Sequence, residues 1–196
     1  MMIFTKIQSY RFFSPLFFVV FIGVVFIEML ACTPMNKQQP PHQPRSTAPW
    51  EGRLQQLFDD SIDRSAVGLA GTSDAHAGGL LIQRAEEADY ILRVRTAIVS
   101  TEGAGRYLIT LQVMGDPIAG PRFPSKEIQI SVGANSPAFG VVKVKDLRLA
   151  GTHFIAFLRE FPHQASTAIH WHLARDGEDV VDAARKGAVL SELARE

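Results

Sequence analysis

Between Ala88 and Val132 the side chains alternate in polarity so regularly that few conformations fit. In Ala88-Asp89-Tyr90-Ile91-Leu92-Arg93-Val94-Arg95-Thr96-Ala97-Ile98, a period of two sends Tyr90, Leu92, Val94 and Ile98 to one face and Arg93 and Arg95 to the other. Tyr107, Ile109, Leu111 and Val113 repeat the pattern against Arg106, Thr110 and Gln112, and the Gly-containing segment between the two runs predicts an antiparallel hairpin. A third run sets Ile128, Ile130 and Val132 opposite Glu127, Gln129 and Ser131, after a connector whose Pro117, Pro121 and Pro124 exclude regular pairing. Strands with one apolar and one polar face predict an α+β fold, with a single antiparallel sheet of three to four strands and helices packed on one face.

The helices are sought at three- and four-residue spacing. Trp50, Leu54, Leu57, Phe58, Ile62, Ala66 and Leu69 predict one amphipathic helix before the sheet, whose Trp50 is either core or a ligand-stacking group. After Ser136-Pro137, a cap followed by a first-turn proline, Leu147, Ala150, Phe154, Phe157, Leu158 and Phe161 predict a helix across the apolar face of the sheet, closed by Pro162. The alternation Val142-Lys143-Val144-Lys145 leaves a short fourth strand open as an alternative. Residues 178–196 predict a terminal helix that packs on the domain or docks a partner.

The first 31 residues carry a different signal. Lys6 and Arg11 precede Phe12 to Ile27, 16 residues without a charge, which at ~1.5 Å per residue span ~24 Å of a ~30 Å hydrocarbon core. That is short for a spanning helix and suits a signal-peptide apolar region. It ends at Met29-Leu30-Ala31-Cys32, and Cys32 is the single cysteine of the chain, so an internal disulfide is excluded. This segment resembles the lipobox of bacterial lipoproteins, with Ala31 and Cys32 matching and Leu30 standing where a smaller residue is usual. The resemblance implies lipidation at Cys32, and Thr33 in the following position implies an outer-membrane, periplasm-facing location. Thr33 to Thr47, rich in Pro and Gln, reads as a tether of ~45 Å at ~3.1 Å per residue.

The domain plan is therefore a signal peptide over 1–31, lipidated Cys32 and tether over 32–48, an α+β domain over 49–162 and a helical extension over 163–196. The leader's charges are Lys6, Arg11 and Glu28, so the 20 basic and 20 acidic side chains of the chain fall to 18 and 19 beyond it. Near-neutrality argues against a nucleic-acid partner.

No spacing defines a reaction. Ser73-Asp74-Ala75-His76 holds the residue types of a nucleophilic relay, but three of them within four positions do not reach its spatial order. His170-Trp171-His172 places two imidazoles on one face of an extended segment, short of the three or four ligands of a metal site. The reading is a non-enzymatic chain with no cofactor and no metal. The succession of Ala88-Asp89-Tyr90-Ile91-Leu92, a glycine turn and Tyr107-Leu108-Ile109-Thr110-Leu111-Gln112-Val113 resembles the small α/β domain of the curli-secretion, penicillin-binding-protein-activating and flagellar outer-membrane lipoproteins, over residues 50 to 161. Auxiliary lipoproteins of lipid-trafficking transporters and lipopolysaccharide-assembly lipoproteins present a similar outline. In each the domain docks, which implies a membrane anchor, an envelope protein partner, and Arg93, Arg95, Arg106 and Gln112 as the candidate binding face of an assembly or transport accessory. The alternative is a lipid- or glycan-binding lipoprotein, with a pocket between sheet and helix near Phe154, Phe157 and Phe161.

Overall fold

A computed structural model describes residues 48–69, 77–103, 105–163 and 166–196. The leader, Cys32, the tether and Ser73 to His76 lie outside the described residues. In chain order the elements are α1 (Gly52–Leu57), β1 (Ser61–Ile62), a 3-10 turn (Arg64–Val67), α2 (Ala77–Glu87), β2 (Tyr90–Thr101), β3 (Arg106–Val113), β4 (Glu127–Gly133), α3 (Phe139–Leu149), β5 (His153–His163), β6 (Ser166–Arg175) and α4 (Glu178–Leu193).

The strands form one six-stranded sheet in the order β1-β6-β5-β2-β3-β4, curled into a half-barrel. β1 runs parallel to β6 and every other neighbouring pair is antiparallel. The expected sheet of three to four antiparallel strands is thereby corrected to a mixed sheet of six. The alternating strands β2, β3 and β4 form its second half. The other half escapes the period-two reading because β5 and β6 are covered on both sides, and the continuous apolar run Phe154 to Leu158 of β5 carries no alternation.

The expectation of helices on one face is corrected as well. On one side, Tyr90, Leu92, Val94, Ile109, Leu111, Phe154, Leu158, Trp171 and Leu173 pack with Val141, Val142 and Leu149 of α3. On the other, Ile91, Ile155, Phe157, Phe161 and Ala174 pack with Leu57 and Phe58, with Leu81 and Ala85 of α2, and with Val180, Val181 and Ala184 of α4. Phe154 and Phe157 thus belong to opposite cores. Their three-residue spacing, read as a helical stripe, is a strand that feeds both faces, and the helix ahead of it ends at Leu149. Gly151, at φ +81°, makes the turn between the two, a conformation that suits glycine.

The stripe over 50–69 breaks for a related reason. Trp50, Leu54, Leu57 and Phe58 pack on the α2/α4 side, whereas Ile62, Ala66, Val67 and Leu69 pack on the α3 side. The chain crosses the sheet's edge at Asp59-Asp60, and Asp60 takes the left-handed conformation at φ 52°, which aspartate tolerates better than most side chains. The segment expected as a C-terminal helical extension supplies β6 as well as α4.

One further departure lies inside β2. The pairing with β3 steps from Thr96↔Leu111 to Ile98↔Thr110, so Ala97 is the extra residue of a β-bulge. The bulge turns Val99 toward the α3 core and leaves Ile98 on the opposite face, 59% exposed. The expected inward position of Ile98 is corrected by that single unpaired residue.

Candidate functional site

Two places concentrate polar side chains. The first is the half of the sheet that α2 and α4 leave open. Arg93, Arg95, Arg106 and Gln112 all project to that side of β2 and β3. Arg95 and Gln112 are in register and joined by a 3.0 Å hydrogen bond from Nη2 to Oε1. Arg93 donates through Nε to Asp176 at 3.1 Å, with 43% of its side chain still exposed. Arg106 stands six residues from Gln112, roughly 20 Å along the strand, so it is on the face but outside the cluster. The side chains of Ile98 and half-buried Leu108 share this surface, and Glu127, Gln129 and Ser131 of β4 complete it, exposed in strict alternation with buried Ile128, Ile130 and Val132.

The second place is a cleft of about 450 Å³ between the 59–65 segment, α2 and β6, lined by Asp59, Ser61, Arg64, Arg84, His172 and Arg175 among others. Parallel pairing sets Ser61 opposite His172. The Ser61 hydroxyl donates to Asp59 Oδ1 at 2.6 Å and lies 2.9 Å from His172 Nδ1, which itself is 3.5 Å from Asp59 Oδ1. Since the hydroxyl has one proton and directs it at Asp59, the hydrogen-bond network assigns the imidazole proton to Nδ1, donating to Oγ. A nucleophilic relay requires the carboxylate on Nδ1 and the hydroxyl on Nε2. Here both gather at Nδ1, so the serine bridges two partners and is not activated by a base.

Burial lowers the pKa of His172, and the nearby charge of Arg84 adds to that effect, against an opposing hydrogen bond to Asp59. Burial works to raise the Asp59 carboxyl, but hydrogen bonds with His172 and Ser61 and the charges of His172 and Arg84 outweigh it and hold it below the usual range. A carboxylate so stabilised is a weak base. The cluster's geometry is that of a clasp, and the next strand position repeats it. His170 Nδ1 lies 2.9 Å from Asp60 Oδ2, Trp50 stacks on the His170 ring at 3.6 Å, and Trp50 Nε1 donates to the Phe58 carbonyl. Asp60 also accepts from the Trp171 amide through Oδ1, and its carbonyl accepts from Ser136 Oγ ahead of α3. These contacts fix the crossing segment to β6.

The clasp makes stability pH-dependent. Folded His172 holds a proton less readily than the unfolded chain, whose ordinary value is 6.5. Below that value the unfolded state binds more protons, so the stabilisation is complete above pH ~6.5 and is lost as pH falls toward the depressed folded value. Asp59 acts in the same direction at lower pH, its contribution present above the ordinary 3.8 and lost on further acidification. His172→Asn keeps a donor near the Nδ1 position and cannot titrate. Urea melts between pH 7.5 and 5 (roughly spanning the ordinary histidine range) are expected to show a shallower pH slope for this variant than for the parent, and identical slopes would remove His172 from the account.

Sequence reasoning placed His170 and His172 on one face of an extended segment, as they are, but had no signal for their partners about 110 positions earlier in the chain. Among the described residues no group of three metal-ligating side chains forms. It also missed Arg159, which is buried at the base of a second cleft. Its Nη1 donates to the carbonyl and carboxylate of Glu87, and its guanidinium lies 5.4 Å from the Phe161 ring centre. Cys32 lies outside the described residues. No family model, no curated protein and no solved structure matches this chain.

Proposed function

We propose that this chain is a bacterial envelope lipoprotein, held to the periplasmic face of the outer membrane through Cys32, whose α+β domain acts without catalysis by docking on a protein of an assembly or transport machine. The observation that carries the docking reading is the open sheet patch. The bulge in β2 sets an exposed isoleucine on the face that carries Arg95 and Gln112, and an apolar centre flanked by arginine is the composition on which protein interfaces draw most of their affinity. The apolar leader, Ala31-Cys32 and the Pro/Gln-rich tether support the anchor. The alternative lipid- or glycan-binding reading rests on Phe154, Phe157 and Phe161, which are buried and divided between the two cores.

Two experiments separate the parts of the proposal. Cys32→Ser is expected to move the protein from the outer-membrane fraction to the soluble periplasm; retention of the variant in the membrane would show that something other than an acyl chain holds it. A photo-crosslinking residue at Ile98 is expected to give one discrete adduct with an envelope protein in cells, weakened when Arg95 is replaced by Glu. Adducts confined to abundant porins and lipid would count against docking through this face.

A further inference from the structure

α4 is apolar on two sides, and one of them is exposed among the described residues. Val180, Ala184, Gly187 and Ser191 face inward, packed on α2. Two residues further on, about 200° around the helix, the ridge of Asp182, Lys186, Val189 and Leu193 faces out. Its first half is charged and its second is not, with Val189 53% and Leu193 62% exposed and Leu190 beside them at 40%. Large aliphatic side chains at that exposure on consecutive turns bring no stability to the fold, and their area is of the kind that marks a contact surface.

Ala48, the first described residue, lines a cleft of about 640 Å³ together with Leu54, Leu190, Ala194 and Arg195. Only Thr33 to Thr47 separate Cys32 from this corner, a reach of ~45 Å when extended. A bilayer that holds Cys32 is therefore presented to the end of α4 at high effective concentration, and a contact too weak to act alone becomes intramolecular. The charges around this corner are balanced, Arg53 and Arg195 standing in the cleft with Glu86 and Glu87, and Arg185 pairing with Asp182, so the contact draws on the aliphatic ridge and not on net charge.

We infer that the C-terminal turns of α4 insert Val189 and Leu193 into the surface of the bilayer that anchors Cys32, seating the domain on the membrane by this corner. The inference rests on the proposed acyl anchor, and the test separates the two. The full-length protein, purified from membranes, is placed in vesicles of phosphatidylethanolamine and phosphatidylglycerol, and Leu193→Cys is labelled with a polarity-sensitive thiol dye. The parent chain is treated in parallel. Because Cys32 is its single thiol, dye uptake by the parent would mean that the cysteine is unmodified, and both the anchor and the inference would fall. With the parent unlabelled, the dye at position 193 is expected to emit at shorter wavelength, to be quenched by nitroxides carried on lipid, and to be shielded several-fold from aqueous iodide relative to the same dye at Val144→Cys. Val144 is 67% exposed on α3, across the sheet from α4. Equal iodide access at both positions overturns the inference while leaving the anchor standing. Shielding from iodide without quenching by lipid nitroxide also overturns it, since the ridge is then covered by protein.

Discussion

Phe157→Ala is expected to lower the free energy of unfolding by ~3–5 kcal/mol, a large share of the ~5–15 kcal/mol available to a domain of this size. Phe157 is fully buried on β5, in the core that α2 and α4 close, and its neighbours belong to three helices and two strands that cannot collapse together into the space it leaves. Leu111→Ala, in the separate core under α3, is expected to cost ~2–5 kcal/mol. Arg93→Ala, on the open side of the sheet, removes one half-exposed ion pair and should change stability by less than ~0.5 kcal/mol. Denaturant melts of the three variants check the two-sided architecture. A Phe157 variant as stable as the Arg93 variant would mean that β5 is not covered on its second face.

The same variants show which parts of this fold a reader of the sequence can find. β2, β3 and β4 are legible because one side of each faces water, so burial writes itself into the chain as alternation. β5 loses that trace. With Phe154 on one core and Phe157 on the other, every position from Phe154 to Leu158 is apolar for its own reason, and three-residue spacing arises by coincidence. The 50–69 segment loses it differently, because three short elements on two faces add up to one helical stripe. Ile98 is misplaced by a single inserted residue, Ala97, after which the period is kept but the faces exchange. The candidate patch was legible in part: Arg93, Arg95 and Gln112 are polar positions of strands with an open side, whereas the isoleucine that completes the surface is exposed only through the bulge. The Asp59-Ser61-His172 clasp was not legible at all. Its members are brought together by a parallel pairing of two residues on each strand, and nothing local in either segment announces the other.

Glycine in α4 poses a conflict that local propensity decides wrongly. By helix propensity alone, Gly187→Ala should stabilise by ~0.8–1.0 kcal/mol. The fold places Gly187 where α4 crosses α2, and a Cβ there would lie 2.4 Å from the Ile82 carbonyl oxygen, 2.6 Å from the Ala85 Cβ and 3.1 Å from the Glu86 amide nitrogen. Two of those three atoms are backbone, so relief requires the helices to move apart. That movement opens the contacts of Leu81 and Ala85 with Val180, Val181 and Ala184 along the whole interface. Overpacking of this kind costs ~1–3 kcal/mol and more when backbone must shift, so the alanine variant is expected to lose stability where propensity alone predicts a gain. Gly78 and Gly79 of α2 provide the control within the same helix pair. Both are exposed, with nothing within 4 Å of an added Cβ, and alanine at either should stabilise by up to ~1 kcal/mol. Thermal melts of Gly187→Ala and Gly79→Ala should therefore move in opposite directions from the parent. If both rise, α4 does not pack on α2 at the distance described. The face of α4 that carries Val189 and Leu193 would then have to be reassigned, since it is the packing at Gly187 that turns those residues outward.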